Sequence, residues 1–288
     1  MNEGLQEIQL MFQGMSFRAD FSDAYSLSRT LSFNDDVDGA FGLPAATAKA
    51  VELGEFVGDT QRGGSVNCMT LVLHPHGDGT HIESAAHVEA EAPLLDAIHT
   101  PQLCLAAVLL LSATRFSDTD ETYIEYANDD DWVLTRAALD AAWRELQERD
   151  GPLNPQAIIL GRLDDGDNAY LTNEAMQFLR ERSLTHLLVE EKSIDRLDDG
   201  GLLANHRVWF DLAPRGEKQA DLSQNRKTLS EMIRSPLSFV ERMNPVQRGR
   251  FCLLSLPIPP WRTDAAPIVP SLFSLSLDSQ KSSSPVAL

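Results

Sequence analysis

Apolar residues fall into two kinds of run along this chain. Short unbroken runs bounded by turn residues predict strands at 69–73, 105–111, 157–160, 186–189 and 250–256. Longer stretches with apolar positions three and four apart predict helices. One covers 135–149, with Thr135 as its cap and Gly151 near its close; others cover about 172–182 and, after a double glycine, about 201–210. Strands alternating with helices predict an α/β fold. The glycine-bearing stretch 19–66 yields no assignment. Residues 1–15 read as a flexible leader, 16–273 as a single domain without repeats, and 274–288 as a disordered Ser-rich tail.

Composition narrows the function classes. The 288 residues carry a formal net charge of −19, a surface that repels phosphate backbones and argues against nucleic acid as a partner. No apolar run approaches the ~18 residues of a membrane span, and the N-terminus lacks the basic start and apolar stretch of a signal peptide. Three widely spaced cysteines, Cys68, Cys104 and Cys252, form no Cys-x-x-Cys pair and read as free thiols in a reducing compartment. The expected setting is cytoplasmic, with no membrane partner.

Candidate chemistry concentrates between His74 and His87, where four of the seven histidines fall within fourteen residues. Pro75 stops the preceding strand, and Gly77 and Gly79 permit a tight turn, so the cluster sits at a strand end. In an extended segment His81 and Glu83 project to one side, and His76 joins them if the turn folds back. Imidazole nitrogen and carboxylate oxygen are donors for Zn²⁺ or Mn²⁺, and three protein ligands leave a position open, the mark of a catalytic site. Pro75 points His74 elsewhere. His99 and His186, isolated in the sequence, read as surface polar residues. The Asp164–Asp167 and Asp198–Gly200 segments lack the ligand spacing of an EF-hand and read as solvated turns.

The run Gly79-Thr80-His81-x-Glu83, with His76 before it and His87 after it, resembles the cyclase family of metal-dependent hydrolases, which includes bacterial kynurenine formamidase and isatin hydrolase. The first histidine is one residue further away than in the family pattern. Glu83 stands for Asp and Ala85 for Pro, as in a poorly characterised branch. Other segments extend the resemblance: Gly39 to Pro44, Gly54 to Gly58, Gly63 to Asn67, Ser193 to Arg196, Thr228 to Glu231 and Asp264 to Pro267. It implies a mixed-sheet, swivelling β/β/α sandwich. It implies that His76, His81 and Glu83 take a first metal and that Glu83 bridges to a second, joined by His206 and Glu231. Many members carry two adjacent histidines where this chain has Asn205-His206; the expectation is therefore one tight site and a second left open.

The activity implied is hydrolysis of an amide, cyclic amide or ester by a metal-activated water, with His87 as acid/base and Ser193 or Asp195 orienting a ligand from behind. Phe41, Trp209 and Trp261 are candidates for an aromatic pocket or for the core. A catalytically inactive member that binds a metal or small molecule is the alternative, and a metal-using isomerase or dehydratase a further one. The expected partners are a small-molecule substrate and a second copy of the chain.

Overall fold

A computed structural model of the chain describes residues 7–35, 39–98, 102–123, 126–164, 168–215 and 238–278. Ten strands form the main sheet. In chain order they are β1 (Glu7–Phe12), β2 (Met15–Ser26), β3 (His81–Glu83), β4 (Leu103–Leu111), β5 (Ala157–Arg162), β6 (His186–Val189), β7 (Ser238–Glu241), β8 (Arg250–Ser255), β9 (Ala265–Pro267) and β10 (Ser271–Leu277). Their order across the sheet is β1-β2-β10-β8-β4-β5-β6-β7-β3-β9. Strands β4 to β7 run parallel, and the flanking pairs are antiparallel. The fold is mixed α/β.

This sheet is rolled. Only residues 268–270 separate β9 from β10, yet the two lie seven positions apart in the sheet. Seven spacings of a flat sheet would be roughly 34 Å, whereas so short a link reaches about 14 Å at most. The edges meet at the continuation of β2. Leu27 N donates to Pro270 O, Asn244 N to Leu27 O, and Arg29 N to Thr80 Oγ1 at the start of β3. Alternation along each strand then feeds two cores. Ile82, Val108, Ile159, Leu188, Val240, Cys252 and Ala266 fill the roll. Leu109, Ile158, Leu187, Phe239 and Phe251 face outward, under the helices.

Among the described residues there are four α-helices, in chain order α1 (Pro75–Asp78), α2 (Arg136–Asp150), α3 (Asn173–Arg180) and α4 (Ala204–Trp209). Thr135 and Thr172 cap α2 and α3, accepting from Ala138 N and Ala175 N. Leu139, Leu146, Met176, Phe178, Leu179 and Trp209 pack on the outer face of the sheet. The layers therefore run β/β/α.

Three expectations need correction. The supposed leader contributes β1, which pairs with β2 through a turn at Gln13 and Gly14, both at positive φ. The supposed tail contributes residues 274–277 to β10, which is held between β2 and β8. His186 is buried inside the roll, its Nδ1 2.7 Å from Ser238 Oγ, because both residues lie on the face shared with Leu188 and Val240. His99 and Glu231 lie outside the described residues.

Candidate metal centre

Where the parallel strands end, six pieces of the chain deliver side chains to one point. Strand 69–72 ends before Pro75, which occupies the first turn of α1. The helix turns His76 back over β3. Gly77 permits a close approach here, since a Cβ would stand 3.0 Å from the Leu43 side chain and press on it. On β3, Ile82 enters the roll, so His81 and Glu83 face outward together and are fully buried. Ser84 accepts from Ala86 N and starts the turn Ala85–His87, which swings His87 over the same spot. The remaining contributors are His206 from α4, Glu241 from the end of β7, and Asp264 just before β9.

Glu83 is the hub. Its Oε1 lies 3.0 Å from His206 Nε2, and its Oε2 lies 3.2 Å from His76 Nδ1, 4.0 Å from His81 Nε2 and 3.9 Å from His87 Nε2. Glu241 stands beyond, 3.6 Å from both His81 Nε2 and His206 Nε2. The short approaches to Glu83 are not aligned as hydrogen bonds. Both Glu83 oxygens, His81 Nε2 and Glu241 Oε1 are buried without a hydrogen-bond partner. Ligand atoms of His76, His81 and Glu83 all lie within 4.8 Å of one another, as do those of Glu83, His87 and His206, and of His76, His87 and Asp264.

Three imidazoles share one construction. His81 Nδ1–H donates to Gly79 O at 3.0 Å, His206 Nδ1–H to Asp195 Oδ2 at 2.6 Å, and His76 Nε2–H to Asp264 Oδ2 at 3.0 Å. Each rear nitrogen is tied to an acceptor, which fixes the tautomer and aims the other nitrogen at the centre. His87 differs: its Nδ1 is 3.5 Å from Asp264, and its ring stacks on His76 with centroids 4.1 Å apart.

The electrostatics follow from burial against charge. Burial dominates at His81 and lowers its pKa to about 4, so the ring is neutral at neutral pH. At His76 burial also disfavours the charged ring, but Asp264 and Glu83 outweigh it and raise the pKa to about 9. His206 is raised likewise by Glu83 and Asp195 against its burial. Burial and the neighbouring Glu83 push Glu241 well above the usual carboxylate range. The cluster thus holds protons, and a cation bound there would have to displace them, since metal ligands must be deprotonated.

The residues expected from the sequence, His76, His81, Glu83, His87 and His206, are thus brought together. Ser193 acts further back, accepting from Asp195 N at 3.2 Å. Asn205 faces away from the centre: its side chain donates to Leu171 O and Ile194 O, both at 2.8 Å. Sequence reasoning missed Glu241 and did not single out Asp264. The signal for Glu241 was its place at the polar end of the apolar run Ser238–Glu241. A cavity of about 250 Å³ opens over the centre, bounded by Phe41, His87, Arg196, Leu197 and Leu203 among others. Trp209 is a core residue and Trp261 is exposed.

The arrangement defines a class: an α/β protein with a buried His/carboxylate cluster at the ends of its parallel strands. Residues 24–196, more than half of the chain, match the Cyclase family, described as "Putative cyclase". The chain belongs to that family. An isatin hydrolase bound to the product analogue thioisatinate shares the fold at 13% identity, covering 88% of this chain and 92% of its own, with a TM-score of 0.55. Isatin hydrolase A from Labrenzia aggregata, bound to benzyl benzoate, aligns at 11% identity over 87% of this chain and 93% of its own, with a TM-score of 0.52. A protein described as a novel cyclase aligns at 11% identity over 89% and 90%, also with a TM-score of 0.52. No curated protein sequence matches the chain.

Proposed function

We propose that this protein is a metal-dependent hydrolase that cleaves an amide, cyclic amide or ester bond of a small molecule, in the manner of an arylformamidase. The observation that carries the reading is the set of three imidazoles tied from behind and aimed at a buried, unpaired carboxylate. Buried polar atoms are almost always partnered, and imidazole nitrogens with carboxylate oxygens are the donors a zinc or manganese ion takes. His76, His81 and Glu83 would hold the tight ion. His206 and Glu241, 3.6 Å apart beside Glu83, would hold a weaker second one; Glu231, the carboxylate expected there, lies outside the described residues.

When bound, such a cation polarises a carbonyl and acidifies water. The chain's own residues supply the rest. Asp264, Gly79 O and Asp195 keep the rings in register. His87 borders the cavity and is the least constrained imidazole. It takes a proton from the attacking water and returns it to the leaving nitrogen or oxygen. The cavity suits a compact substrate, and the shared fold with isatin hydrolases makes a lactam the first class to try. All three cysteines are free, which supports a reducing, cytoplasmic setting. The rival reading, an inactive member that binds a metal or small molecule, rests on the altered motif, with Glu83 for Asp and Ala85 for Pro, and on Asn205, whose side chain is turned to the backbone.

Elemental analysis of protein purified without chelator tests the reading, followed by a panel of N-formyl anilines, isatin-like lactams and aryl esters. Zinc or manganese at one or two per chain, with turnover lost to chelator and restored by metal, is the expected result. Metal-free protein that cannot be reconstituted, or loaded protein inert on the whole panel, overturns it.

A further inference from the structure

We infer that Tyr123, far from the cluster in sequence, is a positioning residue for His206, acting through Asp195. The inference rests on reading the cluster as a metal centre. Asp195 is buried, and its two oxygens divide the labour. Oδ2 accepts from His206 Nδ1 at 2.6 Å and from His206 N at 3.1 Å; Oδ1 accepts from Asn205 N at 2.7 Å and from Tyr123 Oη at 2.9 Å. A carboxylate with one oxygen free can rotate about its own bond. Here Asn205 N and the phenol hold the second oxygen from two directions, and the phenol, the one side-chain donor of the two, completes the pair that fixes the plane in which the first oxygen meets the imidazole.

The phenol is itself held. Tyr123 Oη accepts from Arg196 N at 3.2 Å, so its single proton is directed to Asp195. Its ring packs on Tyr170 with centroids 4.7 Å apart. The segment that bears it is anchored through Glu121, which accepts from Arg136 N and Ala137 N at the start of α2, and through Thr122, bonded to Glu174. The aim of His206 at Glu83 is thereby set by a segment tied to the first turns of α2 and α3. Outer partners of metal ligands typically matter by about 10–100-fold in affinity, and a residue one step further back belongs at the lower end, about 10-fold.

Tyr170 provides the control. It sits in the same aromatic cluster, and its hydroxyl donates to Asp131 at 2.9 Å without touching Asp195. Tyr123→Phe and Tyr170→Phe each remove one hydroxyl from that cluster. Two readouts are taken on both: the visible spectrum and dissociation constant of added Co²⁺, and, in metal-free protein, the downfield proton resonance of His206 Nδ1–H, assigned by its loss in His206→Gln. Tyr123→Phe should move the resonance, alter the Co²⁺ spectrum and weaken Co²⁺ binding about 10-fold, while Tyr170→Phe leaves all three at wild-type values. An unchanged resonance in Tyr123→Phe, or equal changes in both variants, overturns the inference. If wild-type protein takes up no Co²⁺, the metal reading fails, and the resonance alone still decides whether Tyr123 positions His206.

Discussion

His186 and His206 are buried to nearly the same degree, 1% and 2% exposed, and face opposite sides of one sheet. His186, on the inner face at the start of β6, meets the hydroxyl of Ser238 amid aliphatic side chains; burial alone drives its pKa down to about 4. His206, over the outer face, meets Glu83 in front and Asp195 behind, and these raise its pKa despite equal burial. Along β7 the same division passes between neighbours. Ser238 and Val240 point into the roll, and Phe239 and Glu241 point to the cluster. Burial therefore does not distinguish a structural histidine from a functional one; the partner does.

Four experiments break or sharpen that contrast. The largest effect is expected on the outer face. His81→Ala removes a neutral donor aimed at Glu83, and should purify folded with little metal and no turnover; wild-type metal content under chelator-free conditions would remove His81 from the centre. His87→Ala comes next. It should keep its metal and lose about 10²–10⁴ in turnover. Joint loss of metal and activity would make His87 a ligand, and full activity would leave the proton to another group.

Glu241→Gln should weaken binding of a second equivalent of Zn²⁺ by at least about 10-fold, the lower end of what even an outer partner of a ligand is worth, and leave the first equivalent tight, whereas Glu231→Gln should change neither. Titration calorimetry reads both, and the reverse outcome would restore Glu231 to the role. The smallest effect belongs to the inner face. His186 has a folded pKa of about 4 against an ordinary 6.5. The unfolded chain thus binds the extra proton across that window, and stability falls as pH drops from about 6.5 towards 4. The slope is at most about 1.4 kcal/mol per pH unit. His186→Gln, keeping a polar group for Ser238, should flatten that part of a denaturation-midpoint profile; an unchanged slope would show that His186 does not contribute it.

Local features were legible in the sequence because local chemistry makes them. Thr135, Thr172 and Gly151 bound their helices where the capping pattern puts them, and the apolar runs at 105–111 and 157–160 are strands buried on both faces. His76, His81, Glu83 and His87 could be read together because one turn of helix and one short strand bring near neighbours to one face. What depends on the roll could not be read. The environment of His186 is set by β7, fifty residues on, and the place of Glu241 by its pairing with β3. The ends of the chain looked loose because strands that alternate half-buried and exposed positions, such as β1, carry little apolar signal. The Gln13–Gly14 pair was the missed cue.

The three-residue link from β9 to β10 has a consequence for the order in which the molecule can be made. A ribosome releases β2 and β3 long before their neighbours β10 and β9, more than 180 residues further along the chain in the case of β3 and β9. Until then β3 has no β9 beside it, and His76 has no Asp264. Pairings so distant along the chain close slowly. The nascent protein therefore passes through an interval with one edge of the His81–Glu83 strand open, and the cluster is completed only when β9 closes that edge.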